Sequence, residues 1–518
     1  MSLIWSPPVE TSREEQRILS KCKKAKLFVF LREHRHELFD DAFQAELAGM
    51  YPARSSGKEV VPPALLALVT LLQAAMGVSD EEAVGHASMD RRWQMLLDCL
   101  ESEDAPFSQG TLFNFRERLI AADLDRRLLE RTIELAKTTR GFSFKALRAA
   151  FDSSPLFGAG RVEDTFNLLG HAAKELLRTV ADRLGISFPE AVTRAGIPLL
   201  TGKSLKAGHD IDWDNPREKK QALEVLLEQI RSLSSFVERE LKEELDKPPL
   251  ATRFATLKQI LGQDIEPDPE GGGSRIRRGV ARERRISVRD ADMRHGRKSK
   301  SSRVDGYKRH VVVDVESTVI LGTAITPANR PETEAMPRLL DELVQHADEL
   351  TAAHIDRGYL AADEIARVRA LGTDVHCKAF PLRNDGRFTK ADFRIDFNAH
   401  RITCPAGQTV PFVVGTTVHF RASVCRACPR RDECTTAATK GRSVSIHPEE
   451  AFFAQLRASQ KTPEGRAMLR QRTAVEHSLA GISRSQGKRA RFVGERKNLF
   501  DLRRHAAVAN LFVAARAA

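Results

Sequence analysis

Three acidic residues occupy distinctive local settings although they lie far apart in the chain. Asp152 follows the apolar-leaning run 147–151 and opens Asp152-Ser153-Ser154-Pro155. Asp356 follows the short run 352–355 and opens Asp356-Arg357-Gly358-Tyr359. Glu476 lies in a long helical pattern, four residues after Arg472. Carboxylates gathered by folding offer hard oxygen ligands, which suit Mg²⁺ or Mn²⁺. Two such ions can activate water against a phosphodiester and stabilise the departing oxygen. Residues 468, 475, 479 and 482 (Met, Val, Leu, Ile) form one apolar stripe, which predicts a helix over 465–485 with Arg472 and Glu476 together on another face. Spacing alone also fits a surface Arg–Glu pair contributing about 0.3–0.5 kcal/mol.

A second constellation is Cys404, Cys425, Cys428 and Cys434, spaced C-x20-C-x2-C-x5-C. Four thiolates suit a closed, structural zinc site and leave no open position for catalysis. Free thiols and redox chemistry are the alternatives. Cys22, Cys99 and Cys377 lie in apolar or mixed segments and read as buried free thiols. Seven cysteines in 518 residues make no disulfide framework.

The charge is uneven. Lys and Arg number 82 against 70 acidic residues, a net +12. The stretch 275–309 alone has 14 basic and 4 acidic residues, and 484–504 has 8 and 2. Together they exceed the net charge, so the remainder is slightly acidic. Two stripes of this kind suit a polyanion, with solvated surface as the plainer reading. Candidate phosphate contacts are Arg297, Lys298, Lys300 and Lys308 in the first stripe, Arg484, Lys488, Arg489 and Arg491 in the second, and Arg472, which could instead orient Glu476. Asp290 and Asp292 are expected to balance arginines, and Asp314 to close a turn. No secretory signal is evident and no run of 18 apolar residues exists, so a soluble, intracellular protein is expected.

The elements that must position these residues follow from periodicity. Residues 1–140 read as helical, with a buried helix within 60–77 and a capped start at Ser79-Asp80-Glu81-Glu82. A turn at 107–111 precedes a helix bearing Asn114, Arg116 and Arg118, either a DNA recognition element or a core helix with a polar face. A first strand falls within 141–160, then helices to about 264, and a linker at 265–274. Strand runs at 307–315 and 318–325 form a hairpin. A helix (335–350), a strand (352–356), a helix (361–371) and a strand (374–380) follow. Irregular Cys-containing sequence then leads to helices at 465–485 and 499–515. Without its insertions this order is that of an α/β fold, an RNase H-like mixed sheet core with two insertions preceded by an all-α N-terminal domain. The expected division is 1–140 for the helical domain and 141–160, 287–380 and 465–518 for the core. Residues 161–286 form a helical and basic insertion, and 381–464 a Cys-rich one. Asp152 and Asp356 then end the first and fourth strands, which are neighbours.

Asp152-Ser-Ser-Pro-Leu-Phe-Gly-Ala-Gly, Gly306-Tyr-Lys-Arg-His, Thr326-Pro-Ala-Asn, Asp356-Arg-Gly-Tyr and Arg472-Thr-Ala-Val-Glu476 occur in one order. This set resembles the DDE transposases of bacterial insertion sequences, in the group with a helical N-terminal domain and a Cys-rich insertion. The resemblance runs from about residue 25 to the C-terminus. It implies that Asp152, Asp356 and Glu476 are the catalytic triad and hold two Mg²⁺ or Mn²⁺ ions. It implies cleavage at transposon ends and joining of the 3′-OH to target DNA. The expected partners are double-stranded terminal inverted repeats, target DNA and a second copy in a synaptic homodimer, in the bacterial cytoplasm with the nucleoid and without a membrane. A transposase-derived DNA-binding protein and an RNase H-like nuclease without strand transfer are the alternatives. The relatives often carry Tyr-x2-Arg-x3-Glu-x6-Lys; here Leu469 and Ser483 replace the Tyr and Lys. Arg484 or Lys488 then offers the missing phosphate contact.

Overall fold

The computed structural model describes residues 3–52, 60–202, 205–279, 281, 283–297 and 301–516. The described part of 1–140 is helical, ending with Gln109–Ala121 and Leu124–Arg140. Local chemistry sets the helix starts. Ser79 and Glu82 form a reciprocal capping box at Asp80–Met89, as the sequence predicts. Pro63–Met76 is buried along nearly its whole length and ends at Gly77 in the left-handed region.

The main sheet has six strands: β1 Ala146–Phe157, β2 Arg294–Arg297, β3 Arg303–Asp314, β4 Ile320–Pro327, β5 Glu349–His354 and β6 Asp374–His376. β3 runs antiparallel to β1, and β5 and β6 follow parallel on its other side. β2 and β4 share the far flank of β3, against Arg303–Gly306 and Tyr307–Val313 respectively. This is the mixed sheet expected of an α/β, RNase H-like core, with the first strand beside the Asp356 strand. The final helix, Glu495–Arg516, packs on β4 and on Leu124–Arg140 and Pro63–Met76. Its Asn510 closes the edge of β4 by accepting from Ile320 N at 2.7 Å and donating to Ile320 O at 2.9 Å. One apolar cluster therefore runs from the N-terminal helices through the sheet to this helix. The helices between 165 and 264 have a core of their own, and so does the Cys-rich segment.

Several elements differ from the sequence reading. The expected linker at 265–274 contributes to a β-hairpin, Ile265–Pro267 against Ser274–Ile276, closed through Gly272 and Gly273 at positive φ. The helix expected over 335–350 is Met336–Val344, because Glu349 and Leu350 are taken into β5 by pairing with β1. The Cys-rich segment contains a three-stranded and a two-stranded sheet rather than irregular chain. The helix expected over 465–485 breaks into Pro463–Arg470 and Thr473–Ser485. Arg148 of β1 bonds to Gln471 at that break. Met468 therefore leaves the predicted stripe and is exposed, while Val475, Leu479 and Ile482 are buried.

Candidate active site

β1 pairs with β5 as far as Ala150 and His354, and there the parallel ladder ends. β1 continues beside β3, so Asp152 lies within its strand, opposite Val311, and not at its end. Asp356 stands two residues beyond β5 as the N-cap of the turn Arg357–Tyr359. Both aspartates thus emerge where two parallel strands part. Thr473–Ser485 packs across β1 and β3 and carries Glu476 in its first turn.

Arg472 connects the acids. Its guanidinium donates to Asp152 Oδ2 at 2.8 Å and to Glu476 Oε1 at 2.5 Å. Asp152 Oδ1 accepts from Ser153 N at 2.8 Å. Burial raises the Asp152 carboxyl above the ordinary range; Arg472 opposes the rise, and Asp356 and Glu476 add to it. Three mutually repelling carboxylates balanced by one guanidinium form a cation-seeking set of hard oxygen donors. Among the described residues, no three His, Cys, Asp or Glu side chains close on a common point as a metal-holding group.

The resemblance motifs meet beneath these acids. Tyr359 OH bonds to His310 Nδ1 at 2.7 Å, and His310 Nε2 to Thr326 Oγ1 at 2.9 Å. His310 is fully buried, and desolvation lowers its pKa to about 3, so the ring is neutral. A neutral imidazole has one donor and one acceptor, which these two hydroxyls satisfy. The Ser153 side chain lies close enough to act on the Tyr359 hydroxyl. The chain Thr326–His310–Tyr359 spans β4, β3 and the turn after Asp356. Arg357 donates to Ala379 O at 2.9 Å and fixes the segment after β6. These partners sit in the quoted motifs, yet sequence alone gave them no role. Gly306 is needed at φ +151, where a Cβ would lie 2.3 Å from Gly158 N.

The candidate DNA contacts separate by environment. Arg484, Lys488, Arg489 and Arg491 are exposed, although Arg491 also donates to Val78 O at 3.0 Å. Asn114 is exposed, whereas Arg116 is buried and held by both Asp80 oxygens at 2.6 Å. That pair ties Arg116 to the neighbouring capped helix. Arg118 lies over the Tyr51 ring at 4.6 Å. Lys308 pairs with Glu332 at 2.9 Å, and Arg297 is exposed at the end of β2. Lys298 and Lys300 lie outside the described residues. Ser483, at the position of the usual lysine, points to buried Arg309 at 2.9 Å. Asp290 accepts from Tyr307 OH and Asp292 from Glu495 N at 2.9 Å, while the charges of both also favour the buried Arg285 guanidinium. Asp314 closes its turn by accepting from Ser317 N and Oγ, each at 2.7 Å.

Cys404, Cys425, Cys428 and Cys434 line one pocket. Burial raises the Cys434 thiol, Arg442 opposes the rise, and the other three cysteines add to it.

A mixed sheet with acidic residues where its parallel strands part, faced by a glutamate-bearing helix, is consistent with the α/β fold of a DDE transposase. Residues 403–514 match the family described as Transposase DDE domain, and residues 20–118 match the Transposase domain (DUF772). The two matches support a DDE transposase of insertion-sequence type. The first spans the four cysteines, Arg472 and Glu476; Asp152 and Asp356 lie outside both. Searches of the curated proteins and of the solved structures return no significant match.

Proposed function

We propose that this chain binds the terminal inverted repeats of an insertion sequence, cleaves at the element's ends and joins the freed 3′-OH to target DNA. The carrying observation is the link Asp152–Arg472–Glu476, which joins residues 320 and 4 positions apart beside Asp356. Asp152, Asp356 and Glu476 would hold two Mg²⁺ or Mn²⁺ ions, since their oxygen donors fit these ions. Such ions supply Lewis acidity and a more acidic bound water. In cleavage, water forms a new P–O bond and the 3′ oxygen departs as a hydroxyl. In joining, that 3′-OH attacks a target phosphodiester and displaces the target's own 3′ oxygen. The protein's part is to hold the scissile phosphate where the two aspartates emerge, with Tyr359 and His310 fixing both strand ends. Exposed Arg484, in the last turn of the Glu476 helix, and exposed Lys488 and Arg489 just beyond it would take backbone phosphates.

A purified-protein assay on DNA carrying the element's ends tests this. Asp152→Asn, Asp356→Asn and Glu476→Gln are each expected to retain end binding and to lose Mg²⁺-dependent cleavage by about 10³-fold or more. Cleavage at the wild-type rate by any of them would sink the assignment for that residue. Joining of a pre-cleaved 3′-OH end to plasmid DNA separates a transposase from a nuclease. Two ends must be held together, so a homodimer is part of the proposal, as is work on chromosomal DNA in the cytoplasm. Among the described residues, no single helix is long and apolar enough to cross a membrane.

The proposal also divides the chain into 1–140, a core of 141–160, 287–380 and 465–518, and insertions at 161–286 and 381–464. Separate apolar clusters in both insertions support it. Cys404, Cys425, Cys428 and Cys434 would hold one structural Zn²⁺, since four thiolates around one pocket suit it. Metal analysis is expected to find one zinc per chain, lost in Cys425→Ser/Cys428→Ser; a zinc-free, fully folded wild type refutes it.

A further inference from the structure

Arg309 is among the most buried side chains of the protein, at 1% exposure, and the function proposed above gives it no task. Its Nε donates to Ser154 Oγ at 2.8 Å, and its Nη2 approaches Pro155 O at 3.4 Å. Both acceptors lie on β1, two and three residues past Asp152. Its Nη1 donates to Gln486 Oε1 at 2.8 Å and Gly487 O at 3.0 Å, and its Nη2 to Ser483 Oγ at 2.9 Å. These three lie at the C-terminal end of the helix whose first turn bears Glu476. All five acceptors are neutral. A buried guanidinium without a carboxylate in contact is costly, and an apolar side chain would fill the same space without that cost. What the guanidinium adds is direction: a planar fork of five donors fixes the relative placement of the groups it binds. The other end of the helix is held by Arg472 to Asp152 and, through Gln471, by Arg148.

We propose that Arg309 is a positioning residue that sets the Glu476 helix against the Asp152 strand, and so fixes the spacing of the carboxylates for metal. The inference rests on the three-carboxylate reading. It is tested by Mn²⁺ binding to the full chain without DNA, followed by the electron paramagnetic resonance of free Mn²⁺, with thermal melting recorded in parallel. Wild type is expected to bind and Asp152→Asn to lose binding. Arg309→Lys cannot reproduce the fork; it is expected to melt cooperatively and to bind Mn²⁺ about tenfold more weakly, the scale of losing a group that orients a ligand. The milder Ser154→Ala/Ser483→Ala pair should weaken binding in the same direction. A folded Arg309→Lys that binds like wild type overturns the inference alone. If Arg309→Lys does not fold, the double variant decides, and wild-type affinity there overturns it. Binding that Asp152→Asn leaves intact, or none by wild type, overturns the three-carboxylate reading and this inference with it.

Discussion

Arg472 changes meaning once its partners are visible. In sequence it is an i,i+4 neighbour of Glu476; in the fold it also holds Asp152 across 320 residues. Removing its charge takes away the guanidinium that bonds Asp152 and Glu476. Arg472→Gln is therefore expected to lower metal-free stability by about 1 kcal/mol, a modest figure because the pair is partly exposed. Added Mg²⁺ should then raise its melting temperature more than it raises wild type's. Equal Mg²⁺ gains in differential scanning calorimetry would refute this balancing role. Arg116 shows the limit of residue-scale reading. Its place on a helix after a turn fits a DNA element or a core helix alike, and only the fold shows that Asp80, brought in from the neighbouring capped helix, takes both of its terminal nitrogens. Charge is readable in a sequence, whereas the partner of a charge is not.

At the scale of elements, strand and helix types were largely legible because their periodicity reports which side is buried. The ends were less so, since they depend on partners. β5 begins at Glu349, where a helical pattern continues, because Glu349 N reaches Lys145 O at 2.9 Å and the strand finds β1. The glycine-rich stretch at 265–274 composes like a linker, yet short strands on either side can pair across it. Gly306 shows a residue demanded by two elements at once, with β3 passing so close to the end of β1 that no Cβ fits. Gly306→Ala is expected to cost about 2–4 kcal/mol from backbone strain and overpacking. Urea unfolding would check it, and a midpoint equal to wild type would contradict the close approach.

For the whole molecule, desolvated neutral histidines, two buried and one half-buried, set an acid limit. Desolvation lowers His310 to about 3 and His346 and His505 to about 4. Their unfolded forms take up protons near pH 6.5, so between about pH 6.5 and 4 the unfolded chain binds more protons and folded stability falls as pH falls. Each contributes a loss of about 2 kcal/mol at pH 5. Melting temperature should decline from pH 7 to 5, and His346→Gln should flatten that decline; an unchanged slope would argue against desolvation of half-buried His346. The shared apolar core of the N-terminal helices, the sheet and the final helix has the same origin in tertiary packing. Arg503 of the final helix joins Asp123, Asp125 and Glu342, a set of charges no local pattern connects. The sequence by itself determined the element types, the sheet's class and the motifs bearing three acids, because these depend on period, caps and short-range order. The tertiary structure alone decided that Asp152 sits within its strand, that the Glu476 helix starts at a break, and that Arg472 and Arg309 tie that helix to β1. Those are contacts between residues more than a hundred positions apart, and only folding brings such residues together.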